Sequence, residues 1–164
     1  MTRRKMLLAG GSGLALWVAY RVLGFPSVSD AAETFEVVHS DAEWRALLPP
    51  DRYGVLRLQG TERPFSSPLD HEKRPGIFTC GGCDLPLFSS ETKYDSHTGW
   101  PSFWQPLDNA IGTSDDRFLA MLRTEVHCRR CGGHLGHVFN DGPQPSGLRY
   151  CMNGVAMSFK PAAA

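Results

Sequence analysis

A mainly β, antiparallel fold with short helices at its N-terminal end follows from three features of this sequence. From Pro75 onward, glycines and prolines punctuate brief apolar runs, the texture of short strands joined by tight turns. Ahead of them, Ser40-Asp41-Ala42-Glu43 reads as a capping box followed by Trp44, Leu47 and Leu48 at helical spacing. Two C-x-x-C pairs, Cys80-Gly-Gly-Cys83 and Cys128-Arg-Arg-Cys131, carry the spacing of a four-thiolate zinc site, because a two-residue spacer lets both sulfurs of a turn face one tetrahedral ion.

In chain order, residues 1–31 stand apart from the rest. A basic start, Thr2-Arg3-Arg4-Lys5, precedes the apolar run from Met6 to Tyr20, and Ser29-Asp30-Ala31 supplies small residues for a signal peptidase. The segment reads as an export signal to a bacterial periplasm, with the arginine pair pointing to the twin-arginine route although Met6 stands where that signal more often has Phe. If uncleaved, Met6 to Phe25 is long enough to anchor the chain in a membrane. Residues 32–164 then form one domain. Loss of Arg3, Arg4, Lys5, Arg21 and Asp30 removes four of 17 cations and one of 17 anions, leaving 13 against 16. A mildly acidic domain argues against a nucleic-acid partner.

Pro49-Pro50 ends the first helix, and a second helical piece runs from Asp51 to Leu58. Strands are expected at Gly76–Thr79, Pro86–Phe88, Arg117–Val126 and Val155–Phe159. The imperfect alternation of Arg117–Val126 suits an edge or bent strand. Because 44 residues separate Cys83 from Cys128, a shared ion would clip two distant hairpins and act as a structural staple. Two disulfides or two redox dithiols are the alternative for these four residues.

Cys151 is the fifth cysteine, and it follows His134 and His137 closely. A thiolate is the nucleophile of cysteine chemistry, and imidazole exchanges protons near neutral pH. Arg149 is expected to lower the Cys151 pKa if the strand between them is regular. The plainer reading of a lone cysteine is a buried core thiol, but Arg149, Tyr150 and Asn153 make an inert apolar setting a poor fit. His134 and His137 are surplus as metal ligands once four thiolates fill a tetrahedral shell. Trp100 is either core packing or an apolar wall for a substrate methyl, and Asn153 either a turn residue or a hydrogen-bonding group of the site.

Seven blocks in order resemble the methionine sulfoxide reductase B family: Gly60-Thr61-Glu62-Arg63-Pro64-Phe65, Cys80 to Cys83, Lys93-Tyr94-Asp95-Ser96, Gly99-Trp100-Pro101-Ser102-Phe103, Cys128 to Phe139, Asp141-Gly142-Pro143 and Gly147 to Asn153. The resemblance implies a mainly β fold of two small antiparallel sheets with short helices, and structural zinc held by Cys80, Cys83, Cys128 and Cys131. It implies reduction of methionine-R-sulfoxide, free or in oxidised proteins, with regeneration by a thioredoxin-like or other thiol reductant. On this reading Cys151, His134, His137 and Asn153 carry the chemistry and Trp100 and Arg149 bind substrate. Many members have a recycling cysteine just before the Gly-Trp-Pro-Ser-Phe block, where this chain has Ser96-His97-Thr98-Gly99. A zinc-ribbon binding module and a thiol peroxidase are the competing readings.

Overall fold

The computed structural model describes residues 34–117 and 122–163, so the predicted export signal lies outside the described residues. Helix α1 spans Asp41–Leu47, and its predicted capping box is complete. Glu43 N–H donates to Ser40 Oγ at 3.3 Å and Ser40 N–H to Glu43 Oε2 at 2.7 Å. Trp44 and Leu48 turn inward, but Leu47 is exposed, since two adjacent helical positions cannot both face one core. Helix α2, Pro50–Leu56, starts on a proline at its first turn, where the missing N–H costs nothing, and buries Tyr53, Val55 and Leu56. The Tyr53 hydroxyl donates to the Asp41 carboxylate and ties the helices together.

Nine strands follow among the described residues: β1 Gly76–Cys80, β2 Pro86–Ser89, β3 Lys93–Tyr94, β4 Ser102–Phe103, β5 Ile111–Asp116, β6 Arg123–Cys128, β7 His134–Phe139, β8 Arg149–Met152 and β9 Met157–Pro161. They form two antiparallel sheets, one ordered β2-β1-β9 and the other β3-β4-β8-β7-β6-β5. Two expectations need correction. The Arg117–Val126 run is not one strand, because β5 ends at Asp116 and β6 starts at Arg123, and β6 lies inside its sheet rather than at an edge. The pairing of β6 with β7 carries a register shift at Val126/His127. Val155 and Ala156, expected to open the last strand, lie instead in a 3-10 turn, Gly154–Ala156, that swings the chain from one sheet to the other, and β9 begins only at Met157.

The sheets meet through aromatic rings. Phe78 of β1 and Phe88 of β2 pack on Phe103 of β4, edge-on at 5.0 Å and stacked at 4.3 Å between centroids, and none of the three is solvent-exposed. Each such pair adds about 0.5–1.5 kcal/mol beyond the area it buries.

The register shift is a β-bulge with one extra residue in β7. Glu125 faces His137 and Val126 faces Gly136, yet His127 faces His134, so Leu135 is the inserted residue. Gly136 is required beside it. A Cβ there would fall on the Cys151 carbonyl oxygen and press on Met152. Gly136→Ala is therefore expected to cost about 1–3 kcal/mol by overpacking, measured by urea unfolding, and to reduce activity by displacing β8. A variant as stable and active as the parent would show that the strands can move apart at no cost.

Candidate active site

Cys80 closes β1 and Cys83 sits in the turn to β2, while Cys128 closes β6 and Cys131 sits in the turn to β7. Each pair thus belongs to a hairpin of a different sheet. The knuckles are fixed by backbone bonds, Asp84 N–H to Cys80 O at 2.9 Å and Gly132 N–H to Cys128 O at 2.8 Å. The four sulfurs lie within 4.8 Å of one another, with Cys80–Cys131 at 3.7 Å and Cys83–Cys128 at 3.5 Å. A tetrahedral ion with metal–sulfur bonds of about 2.3 Å needs sulfurs about 3.8 Å apart, whereas a disulfide needs about 2.0 Å. The donor set fits a metal and all five cysteines are free of disulfides. Arg57 and Arg130 donate to the Cys131 and Cys83 carbonyls at 3.0 and 3.4 Å, placing positive charge beside the four sulfurs.

Three residues past Cys131, β7 begins, and with it a row of polar side chains across the larger sheet. The register pairs Ser102 with Cys151, Cys151 with His137, His137 with Glu125, and Glu125 with Ser114. These five residues stand directly opposite one another on consecutive strands, so their side chains share a face. His134 joins them only through the bulge. Three residues apart in a regular strand, the two histidines would point to opposite faces; with Leu135 inserted, their rings meet at 5.3 Å.

Carboxylates orient both imidazoles. His134 Nδ1–H donates to Glu125 Oε1 at 2.7 Å, and the Ser114 hydroxyl donates to Glu125 Oε2 at 2.6 Å. His137 Nε2–H donates to Asp116 Oδ2 at 2.8 Å, the same oxygen that accepts from Arg123 at 2.7 Å. These tautomers follow from the acceptors, since an ionised carboxylate only accepts. His134 and, more weakly, the Ser114 hydroxyl hold the Glu125 pKa down to about 2, with burial opposing. Burial lowers the His137 pKa despite Asp116, so its imidazole rests neutral.

Burial raises the Cys151 pKa, opposed by Thr98, by Arg149 and by Ser102. The sequence-based expectation of a lowered value is thus corrected. Strand β8 is regular and Arg149 does share the Cys151 face, but its guanidinium is clamped by Asp141 at 2.9 and 2.8 Å and lies over the Phe139 ring at 4.4 Å. A neutralised cation cannot outweigh desolvation. The thiol also faces a hydroxyl cluster, with Thr98 Oγ1 3.9 Å from Sγ and Ser96 bridging Thr98 to Ser102 at 2.8 and 2.7 Å.

A pocket of about 130 Å³ opens onto Cys151, lined also by Trp100, His137, Asn153, Phe139 and Thr61. Of the residues expected at the site, His134 and Arg149 stand outside this lining and the others reach it. The Trp100 indole is held by its own N–H, which donates to Glu62 O at 3.2 Å. Gly99 before it has φ +88°, and the Phe65 ring covers the place of its missing side chain. Asn153 is 3% exposed and spends its amide on structure: Nδ2 donates to Leu135 O at 3.0 Å and Oδ1 accepts from Glu62 N–H at 3.0 Å. Sequence reading missed Glu125, Asp116, Ser102 and Glu62. Ser102 and Glu62 sat unremarked inside quoted motifs, and the two carboxylates become partners of the histidines only through strand register.

Residues 48–161 match the SelR domain. The chain is 57% identical over 120 residues to the peptide methionine sulfoxide reductase MsrB of Pseudomonas putida (strain W619), covering 73% of this chain and 90% of that protein. It is 50% identical over 127 residues to the MsrB of Agrobacterium fabrum, covering 77% and 94%, and 50% identical over 125 residues to that of Methanosarcina barkeri, covering 76% and 88%. The chain belongs to the methionine sulfoxide reductase B family. Thr98 lies in hydrogen-bonding reach of the Cys151 sulfur.

Glu125 tests the row directly. Its carboxyl pKa is depressed on folding, so its contribution to stability is full above the ordinary carboxylate range and lost as pH falls toward 2. Glu125→Gln is expected to be about 3 kcal/mol less stable than the parent near pH 6, with the gap shrinking between pH 4.5 and pH 2. A gap that stayed constant over that range would mean the His134 pair contributes nothing.

Proposed function

We infer that the chain is a peptide-methionine (R)-S-oxide reductase whose nucleophile is Cys151. The observation that carries this is the placement of Cys151 in the pocket beside the Trp100 face and directly across the strand pair from His137. The resting protonation states suit the reaction. Cys151 is held as a thiol and His137 as a neutral base, so His137 accepts the thiol proton as the sulfur attacks.

The Cys151 sulfur attacks the sulfoxide sulfur, the sulfur–oxygen bond breaks, and oxygen passes to Cys151 as a sulfenic acid while the proton returns to it through His137. Methionine is released, and the atoms balance without another reactant in this half-reaction. Asp116 supports the imidazolium formed on the way, and Arg123 anchors Asp116. His134 and Glu125 back His137 from behind. Trp100 offers the apolar face on which the substrate methyl rests, and each methyl-sized group is worth about 0.8 kcal/mol there, enough to orient. Orientation gives the stereochemistry. With the methyl on Trp100 and the oxygen toward His137, only one epimer presents its sulfur to Cys151.

Cys80, Cys83, Cys128 and Cys131 hold zinc in this proposal, since four thiolates in a tetrahedral array suit that ion best, and its contribution is a cross-link between the sheets. With those four committed and Thr98 in the recycling position, no described cysteine remains to resolve the sulfenic acid, and an external thiol or thioredoxin-like dithiol reduces Cys151 directly. The basic, then apolar, segment at residues 1–31 supports export to the periplasm, or a membrane anchor if it is retained.

Cys151→Ser is expected to abolish sulfoxide reduction with zinc and fold intact. Cys131→Ser is expected to lose the metal and unfold, since a structural zinc site is worth on the order of 10–16 kcal/mol. Wild-type turnover by Cys151→Ser, or a folded and metal-free Cys131→Ser, would overturn the division of the cysteines into four and one.

Trp100→Ala is expected to raise KM about tenfold or more and to narrow the preference for the R epimer, with Cys151 alkylation unchanged. Equal wild-type rates on R and S sulfoxides would reject the pocket as drawn.

A further inference from the structure

We propose that Glu62 is the positioning residue that sets the pocket's two walls relative to each other; this rests on the reductase reading above. Glu62 lies in the loop between α2 and β1, half-buried, and every polar group it owns is committed to the site. Its main-chain carbonyl accepts the Trp100 indole N–H at 3.2 Å. Its main-chain N–H donates to Asn153 Oδ1 at 3.0 Å. Its carboxylate oxygens accept from Gly154 N–H at 2.5 Å and Val155 N–H at 2.9 Å.

Those last two N–H groups open the 3-10 turn that follows β8, and such groups have no partner within the turn itself. Asn153 stands at the capping position, but its side chain makes no cap because it is spent on Leu135 and on Glu62. Glu62 supplies the cap from 92 and 93 residues away in sequence. The wall that bears Asn153 leaves Cys151 by two residues, and the wall that bears Trp100 arrives from another strand. Glu62 joins them through both its side chain and its main chain.

A side chain at Gly154 would collide with Ser67, so the turn is closely packed at the residue whose N–H Glu62 receives. Desolvation disfavours the charged carboxylate, and the Val155 and Gly154 N–H bonds oppose that. Because productive attack requires the methyl wall and the nucleophile in register to a fraction of an ångström, a loosened bridge is read in substrate placement before it is read in fold.

The test compares full-length wild type, Glu62→Ala and Glu62→Gln on methionine-R-sulfoxide and its S epimer. Zinc content, melting temperature and the rate of Cys151 alkylation by iodoacetamide are followed in parallel. Glu62→Ala is expected to lower kcat/KM about thirtyfold, chiefly through KM, and to narrow the R preference, with zinc and alkylation as in wild type. Glu62→Gln, which keeps one acceptor oxygen, is expected to recover most of this, to about threefold below wild type. Folded Glu62→Ala with wild-type KM and selectivity overturns the proposal, as does a loss of activity matched by equal loss of zinc or of alkylation rate. Should Glu62→Ala fail to fold, Glu62→Gln decides alone: a raised KM at unchanged alkylation supports the proposal and an unchanged KM overturns it. Wild type inactive on the R epimer would sink the reductase reading and this inference together, whereas an active wild type beside an indifferent Glu62→Ala sinks this inference only.

Discussion

Four sulfurs gathered within 4.8 Å hold the architecture, because each hairpin that contributes two of them belongs to a different sheet. The chain is short, its strands average a few residues, and the rings of Phe78, Phe88 and Phe103 are in contact between the two sheets. A metal held by Cys80, Cys83, Cys128 and Cys131 would fix the ends of β1 and β6, and so the start of β7 at His134. The site would inherit its frame from that cross-link. Arg52 on α2 adds to the same end of the molecule by donating to Val155 O at 2.8 Å and Met157 O at 3.1 Å, holding the chain just past the site.

On that frame, one inserted residue arranges the chemistry. The bulge at Leu135 turns His134 to the face of His137, Glu125 and Cys151, and Gly136 lets β8 approach closely enough for the row to form. Each carboxylate around the row has its partner: Glu125 accepts from His134, Asp116 from Arg123 and from the neutral His137, and Asp141 from Arg149. Burial holds Cys151 as a thiol, and its activation belongs to the encounter with substrate rather than to a standing electric field.

Much of this was legible in the sequence, wherever the signal is local. The capping box at Ser40 and Glu43, the proline at the head of α2 and the two knuckles are encoded by residues within four positions of one another. Cys151 stood out by chemistry and by being the cysteine left over. What was hidden depends on pairing between distant strands. No local pattern joins Glu125 to His134 across a bulge, Asp116 to His137 across two strands, or Glu62 to Gly154 across 92 residues. The sign of the Cys151 shift was missed for a related cause: Arg149 is visible in the sequence two residues away, but its partner Asp141 and the depth of burial are not.

The central claim is that four cysteines are structural and Cys151 reacts alone, and a single turnover tests it most directly. Reduced, zinc-loaded protein is mixed with excess methionine-R-sulfoxide without any reductant, then trapped with dimedone and analysed by mass spectrometry and zinc assay. The account predicts one methionine released per chain, a dimedone adduct on Cys151, and full retention of zinc. A disulfide from Cys151 to Cys80, Cys83, Cys128 or Cys131 at full yield, with zinc expelled, would contradict it and make a metal ligand the resolving thiol.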